Sequence, residues 1–581
     1  MSTENGFALT QSSSFLDKVY NRHLIPTMLM SIGVTLNVFF DGIIVGQTLG
    51  ADSFAAVNLC MPIYLFMCTI GSLIGSGGFM LSSRAMGTGD TKKSSRIFNT
   101  VVVCMLVVSV LLTLSGLLAL RPIVSFLAGG SELYQDVYAY TLITISGALP
   151  KLFLYIPLFY LRLDGKSRWA SAATIVMTVS NILLDLLFVC VFEMGTGGAA
   201  LASVLATLLA CLIGIYALSG TEHFRFSFDF EKIRILPEVF RYGSPAAINN
   251  LMSALRVLVL NTVLLSAGGS IFVSVFSVLN NINEISLFIV DGVPQTAAPI
   301  IGMYCAEHSN EGIRILMKHQ LKIGLTLSVI FGICISIFAD SLGRIFGVTY
   351  EMRMPVICLA VSVVFVLVSR MMIGFYNASG KNVLSNILTA ARLVVFPILA
   401  LQIILGVDGL VWAFLPIAEM ATLILLALIL AVIHIRNKNR TICLLLDDQN
   451  RVAGSVLEFS VASGAADICS ASEKISDFCI NNDIPQKKIM RVSLAIEEIL
   501  TLMCKKCFDG AENESFDLRV FTSENDTGIR IRSLGKRFNP LCDLDEENEF
   551  EEGIGIRMLE NMTEDIAYSY VLGTNNLLIR I

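Results

Sequence analysis

Residues 162–175 read RLDGKSRWASAATI, and residues 377–390 read NASGKNVLSNILTA. Gly165-Lys166 in the first copy falls on Gly380-Lys381 in the second, and each short basic turn joins two long apolar stretches. A glycine-rich hairpin follows each, MGTGGAALAS at 194–203 and GVDGLVWAF at 406–414. Repetition of this kind marks a duplicated architecture.

Working outward, a bilayer-crossing helix needs about 20 apolar residues. Windows of that size predict twelve spans: about 24–46, 54–80, 98–120, 136–161, 170–192, 197–219, 245–265, 272–300, 321–340, 355–376, 386–405 and 409–435. Composition agrees. The 581 residues are 55% hydrophobic and 15% charged, with a mean hydropathy of +0.72, where a soluble domain carries about 25% charge. A secreted disulfide protein, a nucleic-acid binder and a single-domain soluble enzyme all fit poorly. Most of the 14 cysteines sit in apolar runs and read as small hydrophobes. The C-x-x-C of Cys504 and Cys507 lacks the further ligands a metal needs. The polar N-terminus is unlike a signal peptide, so the first span is expected to be its own targeting signal.

Alternate loops differ in charge. One set carries Arg84, Lys92, Lys93, Arg96, Arg162, Lys166, Arg168, Arg225, Lys232, Arg234, Arg241, Arg314, Lys318, Lys322 and Lys381; the other holds only Arg121, Arg344 and Arg353. The positive-inside rule then places both termini in the cytoplasm, in a multi-pass protein of the plasma (inner) membrane. Both basic turns of the repeat face the same side, so the duplication is parallel. The predicted organisation is a cytoplasmic tail at 1–22, a lobe of six spans at 23–219, a cytoplasmic linker at 220–244 and a second six-span lobe at 245–437. Two facing lobes with a substrate path between them are a transporter architecture.

The composition changes after Arg440. Residues 441–581 hold 25 acidic and 14 basic residues, whereas the rest of the chain is net basic. Strands are predicted in VLEFSVAS, SFDLRVFTS, GIRIRSL and the closing NNLLIRI, and helices in ADICSASEKISDFCINN, PQKKIMRVSLAIEEILTLMCKKCF and from about Ile554. That is a small α+β domain, large enough for its own core. The acidic run Asp543–Glu552 matches no EF-hand spacing and reads as a solvated lid remnant.

Ionisable groups at membrane depth cost roughly 2.5–3.5 kcal/mol each on insertion scales, so they are functional candidates. In the first half these are Asp41, Lys151 and Asp185, with Asn181 one turn from Asp185. Two carboxylates in low dielectric raise each other's proton affinity or take up sodium; alternatively they only bond neighbouring helices. Lys151 is open to three roles: permanent counter-ion, proton-losing partner in coupling, or a side chain that snorkels to water. In the second half, Glu284 and Asp291 share one stripe and suit a cationic, amphipathic substrate alongside Arg256; an interhelical pair such as Arg256–Glu284 is the alternative. Arg370, Arg392 and Glu419 complete the set, the last two expected in interhelical pairs that hold the lobe together.

The membrane part resembles the multidrug and toxic compound extrusion (MATE) family over nearly all of residues 15–437. The resemblance is carried by IPTMLMSIGVTLNVFFDGIIVGQTLG with FAAVNLCMPI, by GSGGFMLSSRAMGTGD, and by YLRLDGKSRWASAATIVMTVSNILLDLLFV with GTGGAALASV. It implies a twelve-helix, two-lobed secondary exporter of the multidrug branch, driven by protons or sodium. It also implies a buried cation site at Asp41, Asn181, Asp185 and Ser203. Related flippases share the scaffold, which leaves lipid-linked cargo open.

The tail resembles the GHKL ATPase fold in its small anti-sigma-factor kinase version, at LAIEEIL, LGKRFNPL and EGIGIRMLENMTEDIAYSY. The family's base falls on Glu498, but its magnesium-binding Asn falls on Leu502 and its adenine-reading Asp on Ser533, two residues before Gly535. Leucine offers magnesium no oxygen. The glycine turn at Gly553 and Gly555 is kept. The resemblance implies a retained fold with nucleotide binding and kinase activity lost. No cofactor is expected. The expected function is a transporter rather than an enzyme: cation-coupled export of organic cations or amphipathic compounds, with the tail a regulatory or protein-partner module. A membrane-anchored sensor that signals through its tail is the reading from another class.

Overall fold

The computed structural model of the chain describes residues 13–49, 53–128, 133–341, 351–405, 411–436, 444–445, 455–508, 514–522, 527–540 and 565–580, apart from a few single positions and some side chains within helices. Ten helices in these residues are long and apolar enough to cross a bilayer. An eleventh span is the pair Tyr134–Ser146 and Ala148–Leu163, bent by 55°. The remaining sequence window, 24–46, falls on the helix Ser13–Thr48, where the Asp41 side chain lies outside the described residues.

Leu236–Val290 is helical throughout, yet Arg256 donates to Asn280 Oδ1 at 3.2 Å across 24 residues. A straight helix would separate them by about 36 Å. The segment therefore doubles back and holds two of the predicted spans. Its helix begins at Leu236, nine residues before the apolar window, because Pro237 at the first turn suits a helix start that hydropathy does not register.

The two repeat turns have the same geometry. Lys166 N–H donates to the Leu161 carbonyl at 2.8 Å and Gly165 N–H to Arg162 at 3.2 Å; Lys381 donates to Tyr376 at 2.7 Å and Gly380 to Asn377 at 3.0 Å. Each is a Schellman ending, with the glycine at φ +79° in the first and +82° in the second. The residue after each turn ties back to the first helix of its own half. Ser167 Oγ meets His23 Nδ1 at 2.7 Å, and Asn382 donates to the Arg241 carbonyl at 2.7 Å.

The halves close on each other on the side where these turns lie. Asn250 donates to Ser72 Oγ at 3.2 Å, Ser83 to the Pro299 carbonyl at 2.8 Å, Arg84 to the Ala378 carbonyl at 3.3 Å and Tyr20 to the Val293 carbonyl at 3.0 Å. Backbones meet as well: a Cβ on Gly243 would fall on the Leu73 carbonyl. Arg162 donates to Gln295 at 3.1 Å and is stacked against Phe79 and Phe159.

The tail is a five-stranded antiparallel sheet in the order β1-β2-β3-β5-β4: β1 Ser455–Ala462, β2 Ser515–Thr522, β3 Thr527–Ser533, β4 Asp565–Val571 and β5 Thr574–Arg580. Helices Ala465–Asn481 and Gln486–Phe508 supply apolar side chains to a core shared with Phe459, Phe516, Leu518, Ile529, Ile531 and Ile579. Four strands and both helices fall where the sequence places them. The chain ends, however, in a hairpin rather than one strand. β4 was concealed because DIAYSYV lacks the branched aliphatic run of its neighbours, and its turn is made by Leu572 and Gly573, both at positive φ. The helix expected from Ile554 lies outside the described residues.

Candidate functional site

In the first half, Asn181 and Asp185 are fully buried on one face of the helix Ser167–Asp185. Thr178 ties this helix to the first by donating to the Gly33 carbonyl at 2.8 Å. Immediately after Asp185 the helix widens into a π-helical turn, Leu186–Val191, an irregularity frequent at functional sites. Asn181 Nδ2 donates weakly to Ser203 Oγ at 3.4 Å, while its Oδ1 is buried without a hydrogen-bond partner among the described residues. Asn181, Asp185 and Ser203 thus bring oxygens to one small region. Lys151 sits at the bend of the broken span, 6.0 Å from the Tyr64 ring centroid.

The second half pairs its charges helix to helix. Arg370 meets Asp291 at 3.2 Å, and Arg392 meets Glu419 at 3.5 Å. Arg256 donates to Asn280, and Glu284 lies half-buried near it. A cavity of about 40 Å³ is lined by Arg256, Asn280, Asn283, Ser362, Arg392 and Glu419. That is room for a water or two rather than for an organic cation.

In the tail, Glu498 is exposed, whereas Leu502 is buried in the domain core. Ser533, at the place of the family's adenine-reading residue, is fully buried. Asn575 Nδ2 donates to it at 3.3 Å and to the Lys536 carbonyl at 3.0 Å, while Asn575 Oδ1 accepts from Tyr568 at 2.7 Å. Gly535, at φ +109°, lies against the Cys507 carbonyl. The space beside Ser533 is filled by the protein's own side chains. Gly553 and Gly555 lie outside the described residues.

A second polar cluster escaped sequence reading. Glu307 receives Arg530 and Arg532 on Oε1, and its backbone carbonyl receives Arg519. Arg532 lies over the Tyr304 ring at 4.6 Å, and Tyr304 donates to Asp517 at 3.4 Å. Ser309 donates to Glu458 at 3.0 Å, and Glu458 pairs with Arg519. Burial pulls Arg530 down to about 10, still cationic at neutral pH. Burial opposes charge on Arg532 too, but Glu307 and its neighbours hold it above the usual range. The only sequence signal was the alternation of Arg530 and Arg532 with Ile529 and Ile531.

Solved structures share this architecture. The membrane region superposes on "Crystal structure of MATE in complex with MaL6" with a TM-score of 0.68 at 23% identity, over 73% of this chain and 97% of that one. It matches an outward-facing multidrug resistance MATE family transporter with a TM-score of 0.67 at 23% identity and the same coverage. The family model MatE matches residues 26–187. The membrane part has the fold of MATE transporters and is similar to that family in sequence over residues 26–187. Similar proteins include the multidrug export protein MepA of Staphylococcus saprophyticus, 24% identical over 71% of this chain and 92% of that protein. The probable multidrug resistance protein YoeA of Bacillus subtilis is 27% identical over 53% of this chain and 68% of that protein.

Proposed function

We propose that this transporter exports organic cations or related amphipathic compounds by alternating access, against inward flow of protons or sodium, with both termini in the cytoplasm. The observation that carries the reading is the pair Asn181 and Asp185, fully buried one helical turn apart with Ser203 beside them. Carboxylates at that depth are rare and often mark ion pathways, and Asn181 and Ser203 supply the neutral oxygens a sodium shell or a proton acceptor needs. Asp41 completes the proposed site. The multidrug export named for MepA and the multidrug resistance named for YoeA support the substrate class. Glu284, Asp291 and Arg256 help receive cargo once the halves part on the outer side. The tail regulates from the cytoplasmic mouth.

The test is efflux of a fluorescent organic cation from proteoliposomes under an imposed proton gradient and, separately, a sodium gradient. Transport under one gradient, lost in Asp185→Asn and Asp41→Asn, is the expected result. Transport that persists in both variants sinks the ion site. No transport under either gradient sinks the exporter reading and favours the flippase or sensor.

A further inference from the structure

The tail sheet has two faces, set by strand alternation. One is the apolar core under its two helices. The other carries Glu458, Asp517, Arg519, Arg530 and Arg532, and on a free-standing two-layer domain it would be wet. Here Asp517, Arg519, Arg530 and Arg532 are all less than a tenth exposed. The cover is the second half of the membrane part, at Tyr304, Glu307 and Ser309. The covered part of that face holds three arginines against two carboxylates, and Glu307 brings the sum to zero. A buried cluster that is neutral only when docked favours one seating over others, because removing a single partner strands a charge out of water.

The opposite end of the same sheet grips the first half. Leu572 N–H donates to the Leu163 carbonyl at 3.1 Å, the Leu572 carbonyl accepts from His23 Nε2 at 2.9 Å, and Arg22 donates to the Gly573 carbonyl at 3.2 Å. Val571 and Leu572 are buried within the membrane part's own core cluster. Lys18 and Glu514 pair at the rim at 3.0 Å.

One hydrogen-bonded sheet thus holds both halves across the side on which they are closed. We propose that the tail is a latch: docked, it keeps that seam shut, and the seam opens only when the sheet lets go of Glu307 or of the Leu163–His23 pocket. This rests on the alternating-access reading above and adds the element that times it. Tethering to the last span keeps the released tail at a high effective concentration, so relatching needs no strong interface.

Hydrogen–deuterium exchange on the full chain in lipid nanodiscs tests the latch, read at the hairpin 565–580 and at the seam segments 71–87 and 239–250. Four proteins are compared: wild type, Glu307→Gln, Gly573→Val, and Glu307→Gln combined with Arg530→Gln. Each single variant is expected to raise exchange about tenfold at both the hairpin and the seam. The double variant restores the neutral sum, so its exchange falls back toward wild type. A hairpin that loosens while the seam stays protected overturns the latch, as does a hairpin still protected in Glu307→Gln. Proteoliposome transport of a fluorescent organic cation separates the two readings. Seam exchange that responds as expected while no variant transports keeps the latch and sinks the exporter; transport by wild type with an indifferent seam does the reverse.

Discussion

Arg162 and Gln295 meet across the seam between the halves, guanidinium Nη1 to amide Oε1 at 3.1 Å, with Arg162 only 4% exposed. Arg162 also donates to the Leu158 carbonyl and packs on two phenylalanines, so it is at once a bond and a filler. Arg162→Ala is expected to cost about 2–4 kcal/mol, from a cavity plus an unsatisfied buried amide. Arg162→Met keeps most of the volume and is expected to recover roughly half of that. Thermal unfolding of the purified chain in detergent reads both.

Arg392 and Glu419 form a buried pair within the second half. Removing one partner strands the other, so Arg392→Met or Glu419→Gln alone is expected to destabilise by about 3–5 kcal/mol. Arg392→Met with Glu419→Leu is expected within about 1–2 kcal/mol of wild type, since well-packed apolar replacements of buried pairs are often neutral. Additive losses in the unfolding midpoints would show instead that the two act separately.

Gly165 and Gly380 occupy equivalent turns, yet they are not equally replaceable. Alanine at either costs about 1 kcal/mol of left-handed strain. At Gly380 the added carbon meets the Tyr242 hydroxyl at 2.9 Å, the end of a side chain that can swing. At Gly165 it meets the Gly573 backbone, which cannot move without lifting the hairpin. Gly165→Ala is therefore expected to expose 565–580 to limited proteolysis, and Gly380→Ala to leave it protected.

Tail docking is expected to weaken in mild acid. His23 is hydrogen-bonded at both ring nitrogens, donating from Nε2 to Leu572 and accepting at Nδ1 from Ser167, the arrangement of a neutral ring. Burial lowers its proton affinity, and Arg22 and Arg168 push the same way. A lowered value in the docked state means the released state binds the proton first. The contribution of His23 is thus complete above about pH 6.5 and is lost as pH falls below it. Glu458 works in the opposite sense: burial raises its carboxyl while Arg519 opposes, so its contribution is present at low pH and lost as pH rises past the ordinary carboxylate range. Hairpin protection followed from pH 7.5 to 5.5 should fall in wild type and stay flatter in His23→Gln.

Ser203 offers a probe of the first-half site with little structural cost. Its contact with Asn181, at 3.4 Å, is worth no more than about 1 kcal/mol. Ser203→Ala is expected to leave thermal unfolding nearly unchanged while weakening half-saturation by the coupling cation several-fold in proteoliposome assays. An unchanged half-saturation removes Ser203 from the site.

The spans were legible because lipid demands long apolar helices whatever the tertiary detail, and Asn181 with Asp185 stood out because polar groups there are costly. The tail's helices and four of its strands were equally plain. What stayed hidden shares one cause. Arg530 and Arg532 alternate with Ile529 and Ile531 as any half-solvated strand would, and period-two patterning cannot distinguish a face against water from one against another surface. Glu307 lies in a polar turn where an acid carries no signal. His23 sits at a helix entrance, and only the fold brings Leu572 to it.

The neutral sum at Glu307 also bears on portability. A domain whose mating face is one positive charge in excess cannot be transplanted onto another transporter of this fold merely by splicing at the end of its last helix. The recipient must offer an acid at the place of Glu307 and an open glycine turn at the place of Gly165. Fusions that meet both conditions should inherit control by the appended domain, and those that meet neither should carry it as idle cargo.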